Sequence, residues 1–441
     1  MKLGWLIFIL AFFVRLFNLL FLDLNVDNYL VEDQKFYWNW SLKGAYLPWN
    51  EVPPILLTER MPGSFWFYSF LQWLTNNDLF FVLVIQSIID SLTCVIIFLC
   101  AGLLNKSYKL YAGLFAALSP LMIIISSQIL SDTIFLFTFS CSLYFLLKYW
   151  RSKNLKTYLY LSGLLLGVST FIRAATFPLI FICLPIIYLI VKIVGNDYRK
   201  AFLSLAVFFL MAITPISGRW VDNIINYDTY SLTSQSGTHV AYWMVPGVLS
   251  VSKGMDRKSS LNIVNLEINK FGGITNEPYK DSSKRISVSI DILKKEKFYH
   301  ISYAWLRSSI INIISSPILI DYRVRSLAHP SFAQEGNIKK WVKTLFLDKQ
   351  YLLYLIVLIF SLIFSLFSIY SIVLGYYFFL KSNLFISFIS ILLIIYFCLI
   401  TGPTISPKYC LPYLPVLIYL QAISLDKLIL FIKNRAYRKT Y

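Results

Sequence analysis

The stretch MKLGWLIFILAFFVRLFNLLFLDL, residues 1–24, decides the class of fold. Its apolar run is about 20 residues long, the length that an α-helix needs to cross a bilayer. A secretory signal peptide would have a shorter apolar run and a small-residue cleavage site. Here Arg15 interrupts the run and no such site follows. We therefore expect a retained first membrane span.

The composition of the chain extends this expectation to the whole molecule. Of 441 residues, 58% are hydrophobic and 14% are charged, whereas soluble domains are about 45–50% apolar and about 25% charged. Apolar runs of spanning length recur along the chain and predict an all-α polytopic membrane protein with roughly ten spans. They cover residues 3–22, 80–103, 110–127, 133–150, 158–171, 177–194, 201–216, 351–380, 384–400 and 409–425.

The distribution of charge predicts which side each connection faces. The formal net charge is +18, and the Lys and Arg residues of the short connections fall on one side if the N-terminus is cytoplasmic, as the positive-inside rule requires. Both termini are then cytoplasmic, in a multi-pass plasma (inner) membrane protein. Because the membrane topology accounts for the excess of basic residues, we expect no nucleic-acid partner.

Three parts of the chain follow from this topology. Residues 1–218 form an N-terminal transmembrane module with an acidic first outer loop at 23–79. Residues 219–349 form a long extracytoplasmic loop, and residues 350–441 form the C-terminal spans and a basic tail. Within the long loop, residues 287–316 predict amphipathic helices lying in the outer headgroup layer, although a loop packed over the spans fits equally well. Interfacial helices are expected in the first outer loop too.

The first outer loop contains VEDQKFYWNW, residues 31–40. A helix beginning just after Asp33 and ending before Gly44 puts Asp33 and Tyr37 on one face and points Glu32 elsewhere. The same pattern has a purely structural explanation, with Asp33 as the helix N-cap and Gly44 as its C-terminal stop. Carboxylates against a membrane surface need partners or a substrate, which favours a functional role.

Five further ionisable residues lie at or inside the predicted apolar segments. Arg60 begins a half-length apolar helix, where it can bind a phosphate or anchor a lipid headgroup. Arg15, Asp132, Arg173 and Lys408 lie inside or at the ends of spans, where charges are costly and usually functional. Structural pairing of Asp132 with an arginine is an equal alternative.

Motifs for metals and nucleotides give no further candidates. The sequence contains no HExxH, GxxxxGK[ST] or GxSxG, and no GxGxxG in a strand-turn-helix setting. The three histidines, His239, His300 and His329, are widely spaced, so a metal site would have to use carboxylates. The metal and cofactor are therefore left unknown, with a divalent cation left open.

Seven stretches, taken in order, resemble motifs of the GT-C superfamily of polytopic glycosyltransferases, in particular its protein O-mannosyltransferase and aminoarabinose transferase branch. They are FFVRLFNLLF (12–21), EDQKFYWNWSLKG (32–44), RMPGSFWFYSFLQWL (60–74), ALSPLMIIISSQILSDTIFLF (117–137), GLLLGVSTFIRAATFPLIF (163–181), TPISGRWVDNIINYDTYSLTSQSGTH (214–239) and PKYCLPYLPVLIYLQA (407–422). The chain departs from the family pattern at Met61, Asp132, Ala174, Ile216 and Lys408, so no particular substrate carries over.

The resemblance implies a GT-C-like bundle of about ten transmembrane helices and an inverting glycosyltransferase of cell-envelope glycan assembly. A hexose or pentose would pass from a polyprenyl-phosphate donor to a lipid, glycan or protein acceptor on the extracytoplasmic face. Asp33 would be the general base, which typically contributes about 10²-fold to 10⁴-fold. Glu32 and Asp132 would assist it.

The resemblance also implies a set of residues for the donor. A lipid phosphate is a good leaving group and needs only cations to balance its charge. Arg60, Arg219, Lys408 and Tyr409 would bind this phosphate, and Tyr37 and Arg173 would position the substrates. The alternatives are a flippase for lipid-linked sugars, which should show internal repeats and mid-bilayer charges, and an O-antigen polymerase or ligase.

Overall fold

A computed structural model describes residues 2–46, 58–152, 155–195, 198–330 and 338–439. Within these ranges the secondary structure is helical and contains no strand. The prediction of an all-α polytopic fold is confirmed. Residues 47–57 of the predicted first outer loop lie outside the described part.

The N-terminal half carries twelve of the helices used below. They are α1 (Lys2–Leu20), α2 (Val26–Tyr29), α3 (Asp33–Tyr46), α4 (Pro62–Leu74), α5 (Leu79–Leu104), α6 (Lys109–Ala117), α7 (Pro120–Ser126), α8 (Asp132–Ser152), α9 (Lys156–Ile172), α10 (Phe177–Ile182), α11 (Leu184–Gly195) and α12 (Tyr198–Tyr227).

The C-terminal half begins with shorter helices and ends with three long ones. They are α13 (Gln235–His239), α14 (Val245–Lys253), α15 (Arg257–Lys270), α16 (Pro278–Lys294), α17 (Phe298–Ile314), α18 (Tyr322–Arg325), α19 (Ile338–Leu347), α20 (Leu352–Ser382), α21 (Leu384–Thr401) and α22 (Leu414–Lys439). A π-helical turn, Val240–Met244, joins α13 to α14, and a 3₁₀ segment, Pro407–Tyr413, leads into α22.

Within the described ranges, seven helices are long and apolar enough to cross a membrane, or nine if each of two bent pairs counts as one span. The bent pairs correspond to the predicted spans at 110–127 and 177–194. The predicted count of about ten is not confirmed, because α9 has 17 residues and falls at the short limit of a crossing, about 17–25 residues.

A buried ion pair fixes α1 against the bundle. Arg15 is 0% exposed, and its Nε donates to Asp90 Oδ2 on α5 at 2.6 Å. Its Nη2 contacts Cys94 Sγ at 3.2 Å. Because an unpaired charge in a bilayer is costly, each partner requires the other, and the pair fixes how α1 packs on α5.

The same arginine stabilises the first bent pair. Pro120 has no N–H to donate and interrupts the helical hydrogen bonds, and α6 and α7 meet at 46°. Arg15 Nη1 donates to the carbonyl of Ala117 at this break, at 3.0 Å. The break redirects the chain toward the loop at 127–131, which precedes α8.

Close helix packing holds the centre of the bundle. Gly163 and Gly167 form a GxxxG pattern on α9, which lets two helix backbones approach closely. A Cβ at Gly163 would lie 2.6 Å from the Phe208 carbonyl oxygen of α12, and one at Gly167 would lie 2.3 Å from that of Ala212. Any side chain larger than hydrogen therefore separates α9 from α12.

The long segment between α12 and α20 has a small hydrophobic core of its own. It contains Ala241, Val245, Leu249, Val264, Ile268, Val288 and Ile292. The segment also binds the linker between α21 and the 3₁₀ segment, residues 402–406. Asn312 Nδ2 donates to Thr404 O at 2.8 Å, and Ser406 N donates to Asn312 Oδ1 at 2.7 Å. The linker is thus held from both sides by one side chain of α17.

Candidate active site

Four charged side chains meet around Tyr409 at one end of the bundle. The Tyr409 hydroxyl interacts electrostatically with Arg173, Asp132, Asp33 and Arg60. These residues come from four separate places in the chain, and we call the five together the Tyr409 cluster. Tyr409 itself is partly buried.

The outer part of the cluster is an ion pair between two partly exposed side chains. Arg60 Nη2 lies 3.2 Å from Asp33 Oδ1, and the side chains of Arg60 and Asp33 are 22% and 48% exposed. The Arg60 guanidinium also lies 6.0 Å from the centre of the buried Tyr37 ring. Asp33 and Tyr37 therefore share one face of α3, as the sequence predicts.

Helix α3 differs from the prediction at both ends. It begins at Asp33 itself and runs through Gly44 to Tyr46, so Gly44 is not the C-terminal stop. A glycine inside a helix costs only about 1 kcal/mol, which does not end a helix by itself. Glu32 precedes the helix with φ of 47°, and its side chain is exposed. It is not among the groups that interact with Tyr409.

The inner part of the cluster is an ion pair between Asp132 and Arg173, whose side chains are 4% and 27% exposed. Asp132 is the first residue of α8, and Arg173 follows the last residue of α9. Arg173 also lies 5.8 Å from the Phe135 ring centre. The pairing of Asp132 with an arginine, weighed above as a structural alternative, is thus present.

Four polar side chains fix the loop in front of Asp132 through its backbone. Their contacts are Tyr29 hydroxyl to Ser127 O at 2.5 Å, Ile129 N to Gln34 Oε1 at 3.1 Å, Tyr68 hydroxyl to Leu130 O at 2.7 Å, and Gln86 Nε2 to Ser126 O at 2.8 Å. Burial raises the pKa of Tyr29 to about 12, so this phenol stays a donor. The loop therefore presents Asp132 at a fixed position.

The fifth member of the cluster, Tyr409, follows the linker at 402–406. Gly402 has φ of 68°, a conformation that favours glycine, and it ends α21. Beyond the linker, the Lys408 ammonium is 6.0 Å from the Tyr409 ring centre. Of the predicted phosphate ligands, the partly buried Lys408 therefore lies beside Tyr409, and Arg60 acts electrostatically on Tyr409.

Arg219, the fourth predicted phosphate ligand, has other contacts. Its Nε donates to Leu232 O at 3.3 Å, and its charge lowers the pKa of Tyr279 against the opposing, larger effect of burial. Two residues after Leu232, Ser234 N donates to Thr58 O at 2.7 Å. Arg219 is therefore linked to the Arg60 region through the backbone of residues 232–234 and is not among the groups acting on Tyr409.

His239 also lies at this site, although its sequence context raised it only as a possible metal ligand. Its Nε2 lies 3.0 Å from Thr401 O, at the end of α21. Burial lowers the pKa of His239, and the nearby Arg173 charge lowers it further, against the opposing hydrogen bond to Thr401. No spacing rule points to this contact, because 162 positions separate the two residues.

Within the described residues, no group of three or more His, Cys, Asp or Glu side chains is arranged to hold a metal ion. Asp33 and Asp132 are each paired with an arginine instead.

Comparisons with known proteins add to this geometry. Residues 59–218 match a family model described as dolichyl-phosphate-mannose-protein mannosyltransferase, a stretch that includes Arg60, Asp132 and Arg173. The match covers less than half of the chain. A search of curated proteins finds no matching relative.

Solved structures match over nearly the whole chain. Archaeal oligosaccharyltransferase AglB from Archaeoglobus fulgidus, in complex with an inhibitory peptide and a dolichol-phosphate, has a TM-score of 0.54 at 16% identity, covering 99% of this chain and 51% of AglB. The Archaeoglobus fulgidus oligosaccharyltransferase tethered to an acceptor peptide with the NVT sequon has a TM-score of 0.52 at 13% identity, with the same coverage of 99% and 51%. The chain has a GT-C fold.

The GT-C resemblance predicted from the ordered motifs is thereby confirmed. ArnT from Cupriavidus metallidurans bound to undecaprenyl phosphate also matches, with a TM-score of 0.36 at 13% identity, covering 96% of this chain and 78% of ArnT. The chain spans about half the length of AglB. Its many apolar helices support a location in a membrane.

Proposed function

We propose that this chain is an integral-membrane inverting glycosyltransferase that uses a sugar linked to a polyprenyl phosphate. The observation that carries the proposal is the Arg60–Asp33 ion pair of the Tyr409 cluster, in which a partly exposed carboxylate lies 3.2 Å from a guanidinium nitrogen. Such a set supplies both needs of the reaction, a proton acceptor for the nucleophile and positive charge for a phosphate leaving group.

Asp33 is the proposed general base. Its side chain is 48% exposed, so an acceptor hydroxyl or amide can reach it, whereas Asp132 is 4% exposed and held by Arg173. Asp132 is then a positioning residue acting through Arg173. The exposed Glu32 lies next to Asp33 in the chain and would assist in orienting the acceptor.

The proposed step is a single displacement at the anomeric carbon. The acceptor oxygen or nitrogen forms a bond to this carbon while Asp33 takes its proton. The bond from the anomeric carbon to the phosphate oxygen breaks, and its electron pair leaves with the polyprenyl phosphate. Arg60 and Lys408 balance the charge on that phosphate, and inversion follows from attack on the opposite face. Tyr37 lies under Arg60 and fixes its direction.

Arg60 also links donor binding to the base. Its guanidinium donates a hydrogen bond to Asp33 Oδ1. A donor phosphate carries more negative charge and offers the bidentate partner that arginine prefers. Binding of the donor would therefore draw Arg60 away from Asp33 and leave the Asp33 carboxylate free to face the acceptor, so the donor binds before proton transfer.

The class of donor rests on the comparisons. The matching family model names dolichyl-phosphate-mannose. AglB was solved with a dolichol-phosphate, and an Archaeoglobus fulgidus oligosaccharyltransferase was solved with a tethered acceptor peptide. We extend a polyprenyl-phosphate sugar donor to this chain, with a lipid, glycan or protein acceptor. The positive-inside rule supports a reaction on the extracytoplasmic face, with both termini cytoplasmic.

A flippase for lipid-linked sugars is the alternative, and the Arg15–Asp90 pair is the feature that bears on it. Transporters use mid-bilayer charges that line a path, and Asp90 lies in the middle of α5. However, Arg15 is 0% exposed and Asp90 2% exposed, so this pair is enclosed in packed helices. It supports a structural role.

The test is transfer of labelled sugar by the purified full chain in vesicles. A panel of polyprenyl-phosphate sugars serves as donors, and the chain is compared with Asp33→Asn. We expect Asp33→Asn to lower the rate by about 10²-fold to 10⁴-fold, the contribution of a general base. A chelator added to the same assay tests whether a divalent cation takes part.

A matched control is Asp256→Asn. Asp256 is an exposed helix N-cap, and asparagine caps a helix equally well, so transfer should stay at the level of the unchanged chain. Full transfer by Asp33→Asn would contradict the role of Asp33 as base. Transport of the intact lipid-linked sugar across the vesicle without transfer would favour the flippase.

A further inference from the structure

A lysine-lined cleft lies at the end of the bundle opposite the Tyr409 cluster. Its volume is about 380 Å³, and its walls are Leu99, Gly102, Leu103, Lys106, Lys109 and Tyr144. Tyr144 is twelve residues along α8 from Asp132, which is about 18 Å at 1.5 Å per residue. The cleft is therefore separate from the candidate active site.

The cleft is built by a tight reversal after α5. The chain passes from Leu104 through the 3₁₀ turn Lys106–Tyr108 into α6, which brings Lys109 back against α5. Gly102 makes room for the lysine stem, since a Cβ there would lie 2.9 Å from Lys109 Cδ. The absence of a side chain at residue 102 thus opens the wall of the cleft.

The direction of Lys109 is the second observation. A lysine at the end of a membrane helix usually extends its ammonium outward to the polar interface. Here the ammonium turns back along α5 and lies 4.4 Å from the centre of the Phe98 ring. Phe98 is 2% exposed and lies six residues before the end of α5, about 9 Å inside it. A phenylalanine ring compensates such a partly buried charge only in part.

Two more cations lie close to residues that line the cleft. The Lys148 ammonium lies 5.6 Å from the Tyr144 ring centre, and the Arg151 guanidinium donates to Leu103 O at 2.7 Å. Among the described residues, none of the ion pairs contains Lys106, Lys109, Lys148 or Arg151. The cleft therefore carries positive charge without acidic partners.

We propose that this cleft binds the headgroup of an anionic phospholipid. The phosphate would lie between Lys106 and Lys109, with the Tyr144 hydroxyl as a further donor, and the acyl chains would extend along the apolar surface next to Leu99 and Leu103. Basic pockets between transmembrane helices bind anionic headgroups in this way. The site is independent of sugar transfer.

The test is binding of phosphatidylglycerol to the full chain in phosphatidylcholine micelles, followed by native mass spectrometry. A lysine near an anionic headgroup contributes about 1 kcal/mol, or roughly 5-fold in affinity. The Lys106→Gln/Lys109→Gln variant should therefore lose about 25-fold in affinity for phosphatidylglycerol. Lys106→Gln alone, which changes an exposed side chain, should lose about 5-fold and covers the case that the double variant does not fold.

Lys381→Gln is the matched control. Lys381 is exposed and follows a long apolar helix, and the positive-inside rule assigns it to the same side of the membrane as Lys106. Its substitution should leave the affinity unchanged. An equal loss in Lys381→Gln would show general attraction to the surface and overturn the site. So would unchanged binding by both cleft variants, or equal affinity for inorganic phosphate, which would show a site for the free anion.

Discussion

Single residues set the charge balance of the Tyr409 cluster. Arg60 has two parts in it, because it pairs with Asp33 and is proposed to bind the donor phosphate. Replacing Arg60 with Gln removes the hydrogen bond to a donor phosphate, which contributes about 1.5–3 kcal/mol when one partner is charged. We expect KM for the lipid-linked donor to rise about 10-fold or more. Initial rates of sugar transfer at several donor concentrations measure this.

The matched control for Arg60→Gln is Arg307→Gln on α17, which replaces an exposed arginine. It should leave KM unchanged. If Arg60→Gln altered kcat alone and left KM for the donor unaffected, Arg60 would not bind the donor in the ground state, and Lys408 would become the leading candidate.

The Asp132–Arg173 pair predicts a stability effect that two substitutions together reverse. Removing one partner of a buried ion pair costs about 3–5 kcal/mol, because the other charge stays buried and unpaired. Arg173→Met leaves the Asp132 carboxylate, whose side chain is 4% exposed, without its partner, so we expect it to cost about 3–5 kcal/mol. The double variant Asp132→Asn/Arg173→Met should recover most of the stability that the single variant loses. Thermal unfolding in detergent measures each variant, and additive losses would contradict the pairing.

His239 predicts a dependence of stability on pH. Burial lowers its pKa in the folded chain, whereas the unfolded chain takes up a proton near pH 6.5. The stabilisation is therefore fully present above about pH 6.5 and declines as the pH falls below it. Thermal unfolding at a series of pH values should show a smaller decline in His239→Gln than in the unchanged chain.

The exposed His329 provides the control for this experiment. His329→Gln should leave the pH dependence as it is. Equal curves for His239→Gln and the unchanged chain would mean that other groups cause the decline.

At the scale of helices, the packing of α9 on α12 predicts the effect of a single methyl group. A Cβ at Gly167 would lie 2.3 Å from the Ala212 carbonyl oxygen, so Gly167→Ala must separate the two helices. Overpacking of this kind typically costs about 1–3 kcal/mol. We expect a lower thermal midpoint for Gly167→Ala in detergent.

Gly218 on α12 is a glycine with open space around it, since no heavy atom lies within 4 Å of an added Cβ. Gly218→Ala should be neutral or stabilising by up to about 1 kcal/mol, because alanine favours the helix. A drop of equal size in both variants would mean that close packing is not the reason for Gly167.

The helices also show where sequence patterns stop being informative. The apolar run at 110–127 predicts one span, and the structure shows that it is bent by 46° at Pro120. The break is compatible with the bundle only because Arg15, 102 positions away, satisfies the freed carbonyl of Ala117. Similarly, Asp90 is an isolated acid in an apolar run, and its partner is 75 positions away. Local periodicity carries no information about such contacts.

At the scale of the whole molecule, the predicted topology leads to a labelling experiment. Ser107 and Ser259 are both exposed and are predicted to lie on the cytoplasmic and extracytoplasmic sides. A membrane-impermeant maleimide added to intact cells should label Ser259→Cys and not Ser107→Cys. Permeabilised cells should label both, and the unchanged chain, whose cysteines are buried or partly buried, is the background.

Labelling of Ser107→Cys in intact cells would reverse the assigned sides of the membrane. It would move the Tyr409 cluster to the cytoplasmic face and contradict the proposed site of sugar transfer.

The sequence predicted the class of the molecule well because hydropathy and ordered motifs are properties of the whole chain. Membership in a GT-C fold and the first membrane helix follow from residues that need no partner to be recognised. Asp33, Arg60, Asp132 and Arg173 were found as candidates because charges at span ends are unusual. Their grouping in pairs around Tyr409, and the entry of His239, depend on distances that only the folded chain defines.

The linker at 402–406 has a consequence for how the protein is made. Tyr409 follows this linker in the chain. Asn312 binds the linker directly, and His239 contacts Thr401, the residue just before it. The other members of the cluster, Asp33, Arg60, Asp132 and Arg173, are synthesised first. A nascent chain therefore has its acids and arginines in the membrane long before it can assemble them around the phenol. Until synthesis has passed Tyr409 the cluster is incomplete, so the sugar transfer proposed above could begin only after the linker has been made.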